Sequence, residues 1–376
     1  MSAMKRSAVE LTRELVGIRT VNPPGDEEAC ARRIGALLEE GGFRVRYHRY
    51  AEGRASLTAE IGSDPARPPL CLTGHLDTVP LGAAPWSMDP FAGETRNGRL
   101  YGRGTSDMKS GVAAAVVAAL RLAPHLSGTP GIVLVLTAGE ETGCEGAFRL
   151  CRDGALGRAG AVVVAEPTAN YPFVGHKGAL WLKARTRGVT VHGSMPEKGV
   201  NAVYKAARAV TALEAFRFDA PAHGLMGPAT LNVGTIHGGL NINSVPDLAE
   251  IAVDIRTVPT VEHGPLMKTL AARLGPDVEL EPIIDLGAVY TDPDHPWVRS
   301  VFDVMAPLLG ERPAPRTATY FTDAAALNRA YGHPPTVILG PGEPHLAHQT
   351  DEYCVVDRID QAVAAYEEII RRWCAA

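Results

Sequence analysis

The chain has 376 residues, 45% of them hydrophobic, and a formal net charge of −5. That length calls for two domains, the apolar content excludes a disordered chain, and short charge runs of mixed sign exclude the basic footprint of a nucleic-acid partner. Six scattered cysteines without a C-x-x-C pair exclude a disulfide framework or a zinc knuckle and read as reduced thiols.

The N-terminal stretch MSAMKRSAVELTRELVGI is amphipathic and charged, without the apolar centre of a signal peptide. The longest strictly apolar run, Val112 to Leu120, is too short to span a membrane, so no membrane partner and a cytoplasmic location are expected. Helical spacing follows over Ser7 to Gly17 and Asp26 to Glu40. The runs PLCLTGH, GIVLVLTAGE and AVVVAEP have the composition of strands buried on both faces, and MKSGVAAAVVAALRLAP between the first two is an Ala-rich crossover helix. This βαβ pattern predicts an α/β domain with a mostly parallel sheet flanked by helices.

From Ala179 to about Asp285 the texture changes. ALWLKARTRG alternates, GVNAVYKAARAVTALEAF is an amphipathic helix, ATLNVGTIHGG and DLAEIAVDIRTVP alternate again, and VEHGPLMKTLAARLG is a second helix. That order suits an α+β layer of one sheet and two helices. After the connector GAVYTDPDHPW the α/β texture returns with PPTVILGPG and a closing helix, Asp357 to Cys374. An inserted domain over 178–288 is therefore expected to interrupt a larger domain formed by 1–177 and 289–376.

Five short stretches carry chemistry. In TGHLDTVP, His75 and Asp77 are two apart at a strand end, so both face one way and the aspartate can accept the imidazole's spare N–H while the other nitrogen meets a metal. In YGRGTSDMKSG, Asp107 sits in a glycine-rich loop before the crossover helix, where an ordinary helix cap is the alternative. LTAGEETGCEG ends a strand on Glu140 and Glu141, adjacent like charges that need a counter-charge if buried. Glu166 follows a strand in VVAEPT, and GPGEPHLAHQTDEY offers His345 and His348 in a loop after PTVIL. The carboxyl ends of parallel strands are where doubly wound sheets bind ligands. Imidazole and carboxylate converging there, without thiolate, fit zinc, cobalt or manganese.

With GHLDTVP, GRGTSDMKSG, TAGEETG, AEPT, HGSMPEKGVNA, GGLNINSVPD, VDIR and GPG…AHQTDEY in this order over residues 20 to 353, the chain resembles the zinc-dependent amidohydrolases and exopeptidases of the acetylornithine deacetylase, succinyl-diaminopimelate desuccinylase, aminoacylase and glutamate carboxypeptidase group. The resemblance implies a catalytic α/β domain interrupted by a lid and dimerisation domain. It also implies two divalent ions per chain, His75 and Glu166 on one, Glu141 and His348 on the other, with Asp107 bridging. Asp77 would orient His75, and Glu140 would be the general base. His192 resembles the lid histidine that reaches the partner subunit's site in a homodimer and hydrogen-bonds the oxyanion. Arg256 and Asn243 resemble the pair that grips the substrate carboxylate. His176 and Lys177 stand where the desuccinylases carry two arginines, and Lys177 is still a cation suited to substrate.

The resemblance implies hydrolysis of an N-acyl amino acid, in the manner of an acetylornithine deacetylase. A metallo-exopeptidase or dipeptidase acting on short peptides and a succinyl-diaminopimelate desuccinylase are the alternatives. A non-catalytic binding protein on the same scaffold is a further one, against which the full set of ligands and Glu140 speaks. His345, Glu145, Asp351 and Glu352 read as loop, support or solvent-facing residues, and Cys144 has no histidine placed by sequence to activate it.

Overall fold

The structure is a computed structural model that describes residues 6–62, 64 and 66–375; residues 1–5 of the N-terminal segment lie outside the described residues. The main strands, in chain order, are β1 (Arg44–Ala51), β2 (Arg54–Ile61), β3 (Leu70–His75), β4 (Ile132–Thr137), β5 (Ala161–Val164), β6 (Gly178–Arg187), β7 (Thr230–Gly238), β8 (Leu248–Thr257), β9 (Val278–Leu286) and β10 (Thr336–Ile338). The helices are α1 (Ala8–Gly17), α2 (Glu27–Glu40), α3 (Ser110–Leu122), α4 (Glu145–Arg152), α5 (Ala202–Glu214), α6 (His263–Leu274), α7 (Pro296–Leu309), α8 (Ala324–Ala330) and α9 (Val356–Ala375). The chain divides into two compact units. One contains residues through Gly175, Tyr290–Thr317 and Thr322 onward; the other contains His176–Val289 and Ala318–Phe321.

The first unit is an α/β layer. Its sheet runs β1-β2-β4-β3-β5-β10, in which β4, β3, β5 and β10 are parallel and β1 and β2 form an antiparallel hairpin at one edge. Strands β3, β4 and β5 are buried along their whole length, as apolar runs covered on both faces must be. The hairpin has a different logic. Its β1, RVRYHRYA, is only partly buried; Arg44 pairs with Glu60 across the ladder, and Gly53 turns the chain at φ 69°. Charge along a solvent-facing edge guards it against pairing with another chain.

Helix α1 starts with a capping box. The Ser7 hydroxyl accepts from Glu10 N–H, and Ser7 N–H donates to the Glu10 carboxylate, both at 3.1 Å. The crossover helix α3 is buried at every residue except Arg121 and packs between α1 and α9. Small alanine side chains permit that enclosure.

The second unit is an antiparallel sheet, β7-β8-β6-β9, with α5 and α6 supplying the apolar cover over Leu180, Leu182, Ile251 and Ile255. Strand β8 alternates buried and half-buried residues, the mark of a sheet more fully covered on one face. Strand β9 is an edge whose register shifts at Pro282; proline interrupts the ladder, which is why VELEPIIDL conceals its strand in sequence. Among the described residues no helix is long and apolar enough to cross a membrane, and all six cysteines are free.

Candidate metal centre

Four chain segments leave the carboxyl ends of β3, β4, β5 and β10 and meet the turn that precedes α3. His75 is the last residue of β3. A Cβ at the neighbouring Gly74 would stand 2.6 Å from Met108 Cε and 2.9 Å from Val112 Cγ2, so glycine lets these side chains pack closely against the strand end. Beyond β5, Ala165 is clasped from two sides: a Cβ on Gly111 or on Gly340 would lie 2.0 or 2.2 Å from its carbonyl oxygen. This close approach fixes the chain just before Glu166. Asp107 lies in an irregular turn with φ −119° and ψ 93°, outside helical space, and α3 begins only at Ser110. The helix-cap alternative for Asp107 is therefore corrected: the residue stands a turn too early to cap.

The side chains converge. His75 Nε2 is 3.1 Å from Asp107 Oδ1 and 3.8 Å from Glu166 Oε1. His348 Nε2 is 3.0 Å from Glu141 Oε2 and 3.5 Å from Asp107 Oδ2. Asp107 thus turns one oxygen toward each imidazole. Ligand atoms of His75, Asp107 and Glu141, and separately of His75, Glu140 and Glu166, all lie within 4.8 Å of one another.

The adjacent glutamates part company. Glu141 faces His348, while Glu140 is buried in the group with His75 and Glu166, with the Cys144 thiol 3.9 Å from its Oε1. Asp77 holds both. Its carboxylate accepts from Glu140 N–H at 3.1 Å, Glu141 N–H at 3.2 Å and Asn22 Nδ2 at 2.8 Å. His75 Nδ1 is nearer the Asp77 backbone carbonyl, at 3.0 Å, than the carboxylate, at 3.5 Å. Asp77 therefore meets the imidazole through both its backbone carbonyl and its carboxylate, and the same carboxylate holds the glutamate turn.

Proton affinities follow from this crowding. Burial above all pushes Glu140 and Glu166 well above the usual carboxylate range and raises Glu141. For His75, burial pulls downward but hydrogen bonds to Asp107 and Asp77 prevail and raise it; the bond to Asp107, then that to Glu141, pushes His348 up to about 10. Carboxylates outnumber the cations available here. Glu141 Oε1 is also buried without a hydrogen-bond partner. Two imidazoles and several carboxylate oxygens with that excess of negative charge are a donor set that fits divalent transition metals.

The remaining expected site residues lie in the second unit. His192 is exposed, its Nδ1 2.7 Å from Ser194 Oγ. A backbone bridge from His192 to Ser244 and a 2.7 Å bond from Gly193 N–H to the Asn243 carbonyl set the His192 and Asn243 loops side by side. Arg256 is half-buried near the Trp181 ring and ion-paired with Asp254 at 2.9 Å. Lys177 donates to the Pro228 carbonyl at 2.9 Å, and burial followed by the nearby Arg256 lowers its proton affinity.

Two buried acids stand behind the cluster: Asp323, which sequence patterning does not signal, and Glu352, for which support and solvent-facing were both open and which is buried. Asp323 accepts from the Thr137 hydroxyl and leaves Oδ1 buried without a partner. Glu352, fully buried, collects donors from the Asp107 turn. Only a fold that returns α8 and the segment after His348 to the same sheet edge reveals them. His345 is exposed and 3.9 Å from Glu343. Cys144 is buried, which pushes its thiol far up and leaves it no nucleophile.

Residues 71–372 match the model of peptidase family M20/M25/M40. Among curated relatives, an acetylornithine deacetylase from Proteus mirabilis (strain HI4320) is 32% identical, with 98% of this chain and 97% of that protein aligned. A probable succinyl-diaminopimelate desuccinylase from Staphylococcus epidermidis (strain RP62A) is 28% identical over 98% of each. Among solved structures, an M20 family metallo-carboxypeptidase from Sulfolobus solfataricus superposes with a TM-score of 0.81 at 17% identity, covering 99% of this chain and 100% of that one.

Proposed function

The chain belongs to peptidase family M20/M25/M40 and is a metal-dependent amide hydrolase, and from that premise we propose that it removes the acyl group from an N-acyl amino acid at a centre of two divalent ions, zinc foremost. The observation that carries the two-ion reading is Asp107, whose Oδ1 faces His75 and whose Oδ2 faces His348. In this reading His75 and Glu166 would hold one ion, Glu141 and His348 the other, and Asp107 would serve both; bound there, the ions would supply polarisation of the scissile carbonyl and a more acidic water.

The chain's own groups do the rest. Glu140, buried beside His75 and Glu166, takes the proton of the attacking water and passes it to the leaving amine. Asp77 keeps Glu140 and Glu141 on their separate tasks by holding both backbone N–H groups. Arg256, with Asn243 and Lys177, receives the substrate carboxylate, for which a guanidinium offers a planar pair of donors. His192 donates to the developing oxyanion.

The second unit, with boundaries near 178 and 288, acts here as a lid and as the contact of a homodimer. Its edge strand β7 has a free ladder face, and Leu240 and Ile242 are 98% and 103% exposed, an apolar surface in need of cover.

The deciding experiment is an activity panel on zinc- or cobalt-loaded enzyme with N-acetyl, N-formyl and N-succinyl amino acids, N-carbamoyl compounds and dipeptides. Hydrolysis of N-acyl amino acids is expected. Cleavage of dipeptides alone would replace the deacylase reading with an exopeptidase, and inertness toward all of them would favour a binding protein.

A further inference from the structure

Glu352 is four residues beyond His348 and fully buried. Its Oε1 accepts from Ser106 N–H at 2.7 Å and Asp107 N–H at 2.9 Å; its Oε2 accepts from Gly104 N–H at 3.0 Å and Arg103 at 2.6 Å. Three backbone N–H groups of one compound turn therefore converge on a single carboxylate, as they do on an anion in a backbone nest. Here the anion is part of the chain.

The return connection runs through Arg103. Its guanidinium donates to Glu352 and also, at 3.1 Å, to the carbonyl of Gln349, the residue next to His348, while a third bond reaches the Pro80 carbonyl at 3.1 Å. Further bonds close the same seam: Gly102 N–H to the Glu352 carbonyl at 2.9 Å and the Ser106 hydroxyl to the Tyr353 carbonyl at 2.6 Å. The turn that carries Asp107 and the loop that carries His348 are thus stitched together by one buried ion pair. Each oxygen of Glu352 already accepts two hydrogen bonds and the side chain is fully buried, so the residue touches no substrate.

We propose that Glu352 is a positioning residue that fixes Asp107 relative to His348 and thereby sets the affinity of the ion these two share. This inference rests on the two-ion reading of the centre. Ordering ligands through a neighbouring hydrogen-bonded group typically changes metal affinity by about 10- to 100-fold. His75 and Glu166 lie outside the seam, so the ion they hold is affected less.

The test is titration of the metal-free protein with cobalt(II), followed by calorimetry and by electron paramagnetic resonance, for the wild type and Glu352→Gln. The amide keeps the shape but turns an N–H₂ toward converging donors. The wild type is expected to take up two ions whose spins couple. The variant, with circular dichroism unchanged, is expected to bind one ion normally and the second about 10- to 100-fold more weakly, with an uncoupled signal at one equivalent. If Glu352→Gln does not fold, Glu352→Asp keeps the charge and withdraws the carboxylate by one methylene, and the same weakening is expected. Two ions of unchanged affinity in a folded variant overturn the role of Glu352 alone. A wild type that takes up a single ion overturns the two-ion reading itself, and the inference with it.

Discussion

The two units treat their candidate residues in opposite ways. In the first, His75, Asp107, Glu140, Glu141 and Glu166 are almost wholly enclosed, with His348 the exposed exception among the expected ligands, and supporting groups such as Asp77 and Glu352 hold the backbone that carries the enclosed ones. In the second, His192 and Asn243 stand exposed on neighbouring loops, and Arg256 is occupied by Asp254. Like charges gathered in a buried site are costly unless a framework of hydrogen bonds holds them. Groups that meet substrate need access, so their order comes later. The contrast separates a carboxylate and imidazole cluster held mostly inside the fold from second-unit residues that stand exposed or are paired within their own unit.

Several substitutions break or sharpen this contrast. The largest effect is expected for Glu140→Gln, a loss of about 10³-fold in kcat, within the range for removing a general acid–base group, with metal content unchanged. Wild-type turnover in that variant would remove Glu140 from the chemistry. His192→Ala should lower kcat by about 10²-fold, as for loss of one oxyanion donor. Mixing this variant with Glu140→Gln chains should recover activity that neither has alone, since a mixed dimer contains one site with both groups intact; no recovery in verified mixed dimers would break the shared-site idea. Arg256→Ala should act mainly on KM, raising it roughly 10-fold for loss of a hydrogen bond to a charged group.

The smallest effect belongs to Asp323, and it is one of stability. Burial pushes this carboxyl up to about 6. The folded state then binds its proton more tightly than the unfolded chain, so stability is highest below the ordinary aspartate range and falls as pH rises toward about 6. Asp323→Asn should flatten that fall in the metal-free protein, a difference of roughly 2–4 °C in Tm between acid and neutral melts. Parallel melting profiles for wild type and variant would show that Asp323 is not protonated in the fold.

Legibility in the sequence followed burial and periodicity. Strands β3, β4 and β5 stand out as unbroken apolar runs, and each ends on or just before a candidate ligand, so the carboxylate-imidazole cluster can be traced along the chain. The hairpin of β1 and β2 is harder to see, because arginines and tyrosines at a solvated edge mask the alternation, and Pro282 does the same for β9. The spacing of His75 and Asp77 implies a contact but not which oxygen makes it, and the backbone carbonyl is the nearer. The partners of Glu352 and Asp323 are hidden for a different reason: they lie roughly two hundred residues away or more, as in the bonds from Ser106 to Glu352 and from Thr137 to Asp323, so a support role for Glu352 can be read but not what it supports.

Metal stoichiometry addresses the centre most directly. Metal-free protein dialysed to equilibrium against zinc, with zinc and protein quantified separately, is expected to hold two ions per chain in the wild type and one in His348→Ala, the His75 side being retained. A wild type that holds one ion or none, or a His348→Ala variant that still holds two with unchanged affinity, would contradict the paired centre built on Asp107.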